Sequence, residues 1–232
     1  MSGLDPNVSN VTELAEGIFY NVRRSDRSRR VRVTVDPSRG VEVVLPHRAA
    51  HRDAAAAIRE LRPWIERRLR ETERQREAVA SRGNTLPYLG TTLTLVPQTG
   101  RSRVVLRDHT LLTPDGPDRL AAIERWYRRM ARAELEPRVQ EACAALGVSY
   151  TKLTVRGQRT RWGSCSRTGA LSFNWRLLLA PAEVLDYVVW HEVCHLRALD
   201  HSPRFWALVA EHCPSYRAHA TWLRRNGPTL TL

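Results

Sequence analysis

His191-Glu192-Val193-Cys194-His195-Leu196-Arg197-Ala198-Leu199-Asp200-His201 reads H-E-x-x-H, with a third histidine six residues further on. On a helix, residues four apart project from one face about one turn apart, so His191 and His195 can reach one ion. Glu192 then lies beside that ion, where a carboxylate can hold a water. The preceding Val184, Leu185, Tyr187, Val188, Val189 and Trp190 are apolar on nearly every side, which predicts a buried helix. Two histidines and a glutamate on a buried helix need partners, because unpaired buried polar groups are costly. A metal supplies them; a His–Glu hydrogen-bond network in the core is the competing reading.

A catalytic zinc site takes three protein ligands and leaves a fourth position open. His201 is the favoured third ligand, just before Ser202-Pro203, which reads as an N-cap followed by proline at the first helical position. Its spacing from His191 equals that of the metzincin motif, with Ala198 in place of that motif's glycine. Glu211 on the following helix is the serious competitor, and His212 and His219 are weaker ones.

Upstream lie Thr160-Arg161-Trp162-Gly163-Ser164-Cys165-Ser166 (preceded by Arg159), Leu171-Ser172-Phe173-Asn174-Trp175, and Pro181. Downstream come His201-Ser202-Pro203-Arg204-Phe205-Trp206, Pro214-Ser215-Tyr216 and Trp222-Leu223. In this order the motifs resemble the YgjP-like metallopeptidase family over most of the chain. The resemblance implies a zinc-dependent hydrolase with one zinc ion. Its fold would be α+β, a β-rich N-terminal part with a helix followed by a small zincin-like domain of helices on a short antiparallel sheet. The departures within the ligand run are Cys194 and the bulky Leu199, and neither removes a ligand.

Strand-like alternation marks Ile18, Tyr20 and Val22, then Val31, Val33 and Val35, then Val41, Val43 and Leu45. Asp36-Pro37-Ser38-Arg39-Gly40 reads as a turn, and the three strands as a meander. The run Arg23-Arg24-Ser25-Asp26-Arg27-Ser28-Arg29-Arg30 reads as an exposed connection, with a phosphate-contacting loop as the alternative. A helix over 52–80 carries the stripe Ile58, Leu61, Trp64, Ile65 and Leu69, with a kink or a second start at Pro63. Beyond Leu69 it is charged on all faces and expected to be solvated, supported by ion pairs.

Strands return between Leu86 and Leu112. Pro114-Asp115-Gly116-Pro117 is the strongest break, so the expected domains are 1–116 and 117–232. The next helix, 119–146, has Ile123, Trp126, Tyr127, Met130 and Leu135 as its stripe and Gly147 as its stop, and is expected beside the metal helix. Leu153-Thr154-Val155 starts a sheet that continues as the hairpin 161–165 with 170–173. That hairpin is the candidate edge for an extended substrate, with Ser164 and Asn174 as polar groups for the cleft and Arg161 as the nearest cation.

The chain has 232 residues and a formal net charge of +13. The charge, mostly arginine beside the single Lys152, favours polyanions, so a nucleotide or nucleic-acid partner stands beside a solvated basic surface. No basic-then-apolar leader or membrane-length apolar run is present, and Cys143, Cys165, Cys194 and Cys213 form no C-x-x-C pair; a cytoplasmic protein without a disulfide scaffold is expected. Three functions follow: a zinc metallopeptidase acting on peptide or protein, with Glu192 as general base; a metal-dependent nucleotide or phosphoanhydride hydrolase; and a nucleic-acid-associated protease or non-catalytic nucleic-acid-binding module.

Overall fold

The computed structural model describes residues 8–36, 39–158 and 160–232, so Pro37-Ser38 of the expected turn and Arg159 of the arginine–tryptophan run lie outside the described residues. The chain divides into two compact units, Met1–Ala78 and Val79–Leu232.

The first unit opens with β1 (Val8–Ala15), β2 (Ile18–Ser25), β3 (Arg32–Asp36) and β4 (Gly40–Pro46), followed by α1 (Arg52–Ala80). The sheet order is β1-β2-β4-β3. The expected meander is therefore wrong: β4 inserts between β2 and β3, parallel to the former and antiparallel to the latter. The alternation itself holds. Tyr20, Val22, Val41, Val43 and Leu45 face inward and meet Ala54, Ile58 and Ile65 of α1 in one core. Pro63 does not divide α1. The predicted stripe narrows, since Leu61 is exposed and Trp64 and Leu69 are only partly buried. Arg62–Glu66 and Arg68–Glu71 ion pairs lie along the exposed face at 2.8 and 2.6 Å.

The second unit opens with β5 (Thr85–Tyr88), β6 (Thr91–Gln98), β7 (Val105–Arg107) and β8 (Thr110–Pro114), then α2 (Arg119–Leu146). Its sheet order is β5-β6-β8-β7, again with a central parallel pair and antiparallel pairs on both sides. The match with the first sheet extends to register. Asn21 pairs Glu42 and Thr94 pairs Thr110; Ser25 pairs Pro46 and Gln98 pairs Pro114. Arg32 pairs Val44 and Val105 pairs Leu112, while Ala15 pairs Ile18 and Tyr88 pairs Thr91. Both first hairpins turn through two left-handed residues, Glu16-Gly17 (φ 53° and 78°) and Leu89-Gly90 (φ 47° and 86°). Such turns twist with the strands they join, and glycine takes the second position without a Cβ penalty. The chain thus contains the same four-strand-plus-helix module twice, a repeat not read from the sequence.

The expected boundary at Pro114–Pro117 falls inside the second unit. Leu86, Leu93, Val104 and Leu111 share one core with Ile123, Trp126, Tyr127 and Leu135 of α2, so the Pro-Gly break is only the turn from β8 into α2. α2 ends as expected, with Gly147 left-handed at φ 60°.

Beyond α2 run β9 (Lys152–Arg156), β10 (Gly163–Cys165) and β11 (Ala170–Asn174). A short 3₁₀ turn, Trp175–Leu179, leads to α3 (Ala182–Cys194), α4 (Pro203–His212) and α5 (Tyr216–Asn226). The third sheet is ordered β10-β11-β9. The expected hairpin is β10–β11, antiparallel, but β9 joins β11 in parallel, so the sheet is mixed and not antiparallel. α3 packs against α2, β10, α4 and α5. Its Val184, Leu185, Val188, Val189 and Val193 are buried, which fixes the orientation of the face carrying the histidines. Among the described residues, no helix is long and apolar enough to cross a membrane.

Candidate metal centre

α3 delivers His191 and Glu192, and ends so that His195 is its C-cap. The turn 196–201 brings His201 back over the end of that helix. Pro203 then starts α4, with Ser202 at the N-cap position, although the Ser202 side chain makes no capping bond. One nitrogen from each of His191, His195 and His201 lies within 4.8 Å of the others, the only such ligand group among the described residues. Nε2 of His201 stands 3.2 Å from Nε2 of His191. Two imidazole nitrogens bound to one tetrahedral zinc at 2.0–2.1 Å would stand about 3.3–3.4 Å apart, so this pair already has the right separation.

The surroundings fix the rings. Nδ1 of His195 lies 3.0 Å from the carbonyl of Ala198. A carbonyl only accepts, so Nδ1 carries the proton and Nε2 keeps its lone pair for a metal. Phe205 stacks on His195 at 4.3 Å and 21°, and meets His191 and His201 edge-on at 5.0 and 4.9 Å. Trp206 closes on His201 at 5.6 Å. Nδ1 of His191 is buried and has no hydrogen-bond partner among the described residues.

Burial, then the neighbouring His195 and His201, lowers the His191 pKa to about 4; burial also lowers that of His195. Both imidazoles are therefore neutral at pH 7, the form a metal requires. Glu192 is 6% exposed, and burial pushes its carboxyl up to about 8, with the Arg161 charge pulling the other way. Tyr187, one turn before His191, has its ring 5.9 Å from His191 and 6.3 Å from His219, and burial raises its hydroxyl to about 12.

The sequence-predicted residues separate into two groups. His191, Glu192, His195 and His201 come together, with Arg161 close enough to act on the Glu192 charge. Glu211 is exposed and stands outside the histidine cluster, with its charge felt by Cys194. His212 stacks on Trp190 at 4.4 Å instead. Ser164 and Asn174 do not reach the site as expected. Strand side chains alternate between faces, and Gly163 turns its Cβ direction to Glu192, so Ser164 and its partner Ser172 face the other way. Asn174 is buried and uses its amide locally. Its Nδ2 donates to the carbonyls of Gln158 and Arg161 at 2.6 and 3.2 Å, and its Oδ1 accepts from Arg176 N at 3.1 Å. Sequence reasoning missed the Ala198 carbonyl and Phe205 as supports for the ligands. The only signal was position: one lies three residues after His195, the other four after His201.

No curated protein matches this chain. Among solved structures it is similar to the metallopeptidase zymogen abylysin of Pyrococcus abyssi, at 24% identity over 40% of this chain and 97% of that one, TM-score 0.35. It is also similar to the metallopeptidase zymogen jannalysin of Methanocaldococcus jannaschii, at 17% identity over 38% and 94%, TM-score 0.34. The family described as YgjP-like, metallopeptidase domain, matches residues 29–226, both ends of the histidine cluster included. On that match the chain belongs to the YgjP-like metallopeptidase family.

Proposed function

We propose that the protein is a zinc-dependent peptidase in which His191, His195 and His201 hold the metal and Glu192 is the general base. The observation carrying this reading is the convergence of three imidazoles beside a buried carboxyl that is not itself among the clustered ligand atoms. Zinc held there would polarise a scissile carbonyl and acidify a water. With a metal held there, Glu192 would take a proton from the attacking water and return it to the departing amine. Arg161 opposes the burial that would keep Glu192 protonated, and so favours its base form. Ala198 and Phe205 hold the His195 ring in its metal-facing tautomer and orientation.

β10 gives a polypeptide something to bind. Trp162 accepts from Asn174 N at 2.8 Å, and Ser166 N donates to the Ala170 carbonyl at 2.9 Å. The intervening Gly163 and Cys165 therefore turn their backbone groups away from β11, on the edge of the sheet beside Glu192. An extended peptide can add to that edge and place one carbonyl over the histidines. The nucleotide and nucleic-acid readings rest on the net charge of +13, and charge alone assigns no substrate.

The test is cleavage of an unfolded protein such as casein by wild type and Glu192→Gln. Wild type should cleave and be silenced by a chelator. Glu192→Gln should lose about 10²–10⁴ in turnover, the range for a general base, and keep its metal. Undiminished turnover in the variant removes Glu192 from the mechanism.

A further inference from the structure

Gly163 has no conformational reason to be glycine. It is absent from the residues with positive φ, and it occupies an ordinary strand position opposite Phe173. Its reason is space. A Cβ built on Gly163 would stand 2.5 Å from Cγ, 2.5 Å from Oε1 and 2.8 Å from Cδ of Glu192. All three contacts belong to one side chain. Rotating the carboxyl group could move Oε1 away, but it leaves Cγ where it is. Only a different χ1 on α3 would clear the contact, and that swings the whole carboxyl group off its position. The neighbours offer little room to yield, since Phe173, the cross-strand partner of Gly163, is fully buried and Glu192 is itself almost enclosed.

We infer that Gly163 is a positioning residue: the slot left by its missing side chain selects the rotamer in which Glu192 serves as general base. The inference rests on the role proposed for Glu192, and it gives β10 a second task. The same short strand that offers its edge to a substrate also sets the base from its face. The three atoms nearest to that Cβ all belong to Glu192, so the added methyl acts first on Glu192 and not on the backbone groups that Gly163 offers to a substrate.

Two double-mutant cycles test this. In the first, on the zinc-loaded full chain, Gly163→Ala should lower kcat by about 10²-fold, the lower end of what a lost general base costs. KM should change less than about threefold and the zinc content not at all. In the Glu192→Gln background, the same substitution should lower the residual rate no further, because the base is already absent. A further fall of the same size in that background, or full activity in Gly163→Ala, would overturn the assignment.

The second cycle reads thermal unfolding of the metal-free chain and needs no activity. Gly163→Ala should lower the Tm of the wild type by several degrees, and should lower the Tm of Glu192→Ala much less, because the atoms that the new methyl meets are gone. Gly163→Ala failing to fold in the wild-type background but folding in Glu192→Ala has the same meaning. An equal loss in both backgrounds, or failure to fold in both, would show that glycine serves β10 itself and would overturn the inference. If Glu192→Gln proved fully active, the catalytic reading would fall while the second cycle still decided the steric one.

Discussion

The two four-strand-plus-helix modules share strand order, pairing sense and register, yet they bury their helices differently. α1 has three buried residues, Ala54, Ile58 and Ile65. α2 has ten, because it meets its own sheet on one side and α3, β9 and the Trp175–Leu179 turn on the other. The backbone plan is thus neutral as to function. A second apolar face turns one copy into the support of a metal site, and solvated ion pairs on the corresponding helix leave the other as a scaffold of its own.

The sharpest way to break this comparison is to empty the support. Trp126 is 3% exposed and packs edge-on against Tyr127 at 5.0 Å. Trp126→Ala should cost about 3–5 kcal/mol in denaturant unfolding, with metal affinity falling alongside. Trp64→Ala on α1, only partly buried, should cost clearly less; equal costs would show that the two helices are held alike. Ile58→Ala removes a fully buried residue from the first core. It should cost about 2–5 kcal/mol in the first unit while the metal stoichiometry stays unchanged. Loss of metal in that variant would refute the division of labour.

Where the modules are the same, perturbations should agree. Gly17 and Gly90 hold equivalent left-handed turn positions with no close neighbour crowding a Cβ. Gly17→Ala and Gly90→Ala should each cost about 1–2 kcal/mol, the penalty of an L-residue in that region, and differ by less than their errors. Unequal costs would mean that the turns only look alike.

A pH dependence near neutrality is expected from Glu192 in the second unit. The folded Glu192 carboxyl is raised from its ordinary 4.5 to about 8, so the metal-free native state holds the extra proton between those values. His191, lowered from 6.5 to about 4, opposes this, but only below pH 6.5. From pH 6.5 to 8 the Glu192 effect stands uncompensated, and the stability of the metal-free protein should fall as pH rises. Thermal melts across that window should show the fall in wild type and lose it in Glu192→Gln; the same slope in both would exclude Glu192 as its source. The smallest effect is expected on the exposed face of α1. Glu66→Ala removes one of the two carboxylates paired with Arg62, and should cost under about 1 kcal/mol and vanish in high salt.

What the sequence disclosed and what it hid follow from the range of the forces involved. The bounds of α2 are set locally, by a 3.6-residue apolar stripe and by Gly147, and were legible. So were the helix carrying His191 and His195, the hairpin β10–β11, and a third histidine before Ser202-Pro203 that joins their cluster. Strand partners are chosen across the chain. The parallel pairing of β2 with β4, and of β9 with β11, leaves no mark in the alternation of either strand. The repeat was hidden for the same reason: Tyr20 and Leu93, or Val43 and Leu111, share a role and a register but no residue identity. Asn174 looked available because a polar residue at a hairpin end reads alike whether it faces a cleft or caps the next turn. Its three backbone bonds decide for the cap.

The most direct measurement is the zinc affinity of His201→Ala beside Glu211→Gln, by chelator competition on otherwise intact protein. The three-histidine centre predicts one zinc per wild-type chain, at least a 100-fold weaker affinity in His201→Ala, and wild-type affinity in Glu211→Gln. Full affinity in His201→Ala with loss in Glu211→Gln would contradict the site described here and move the third ligand to α4.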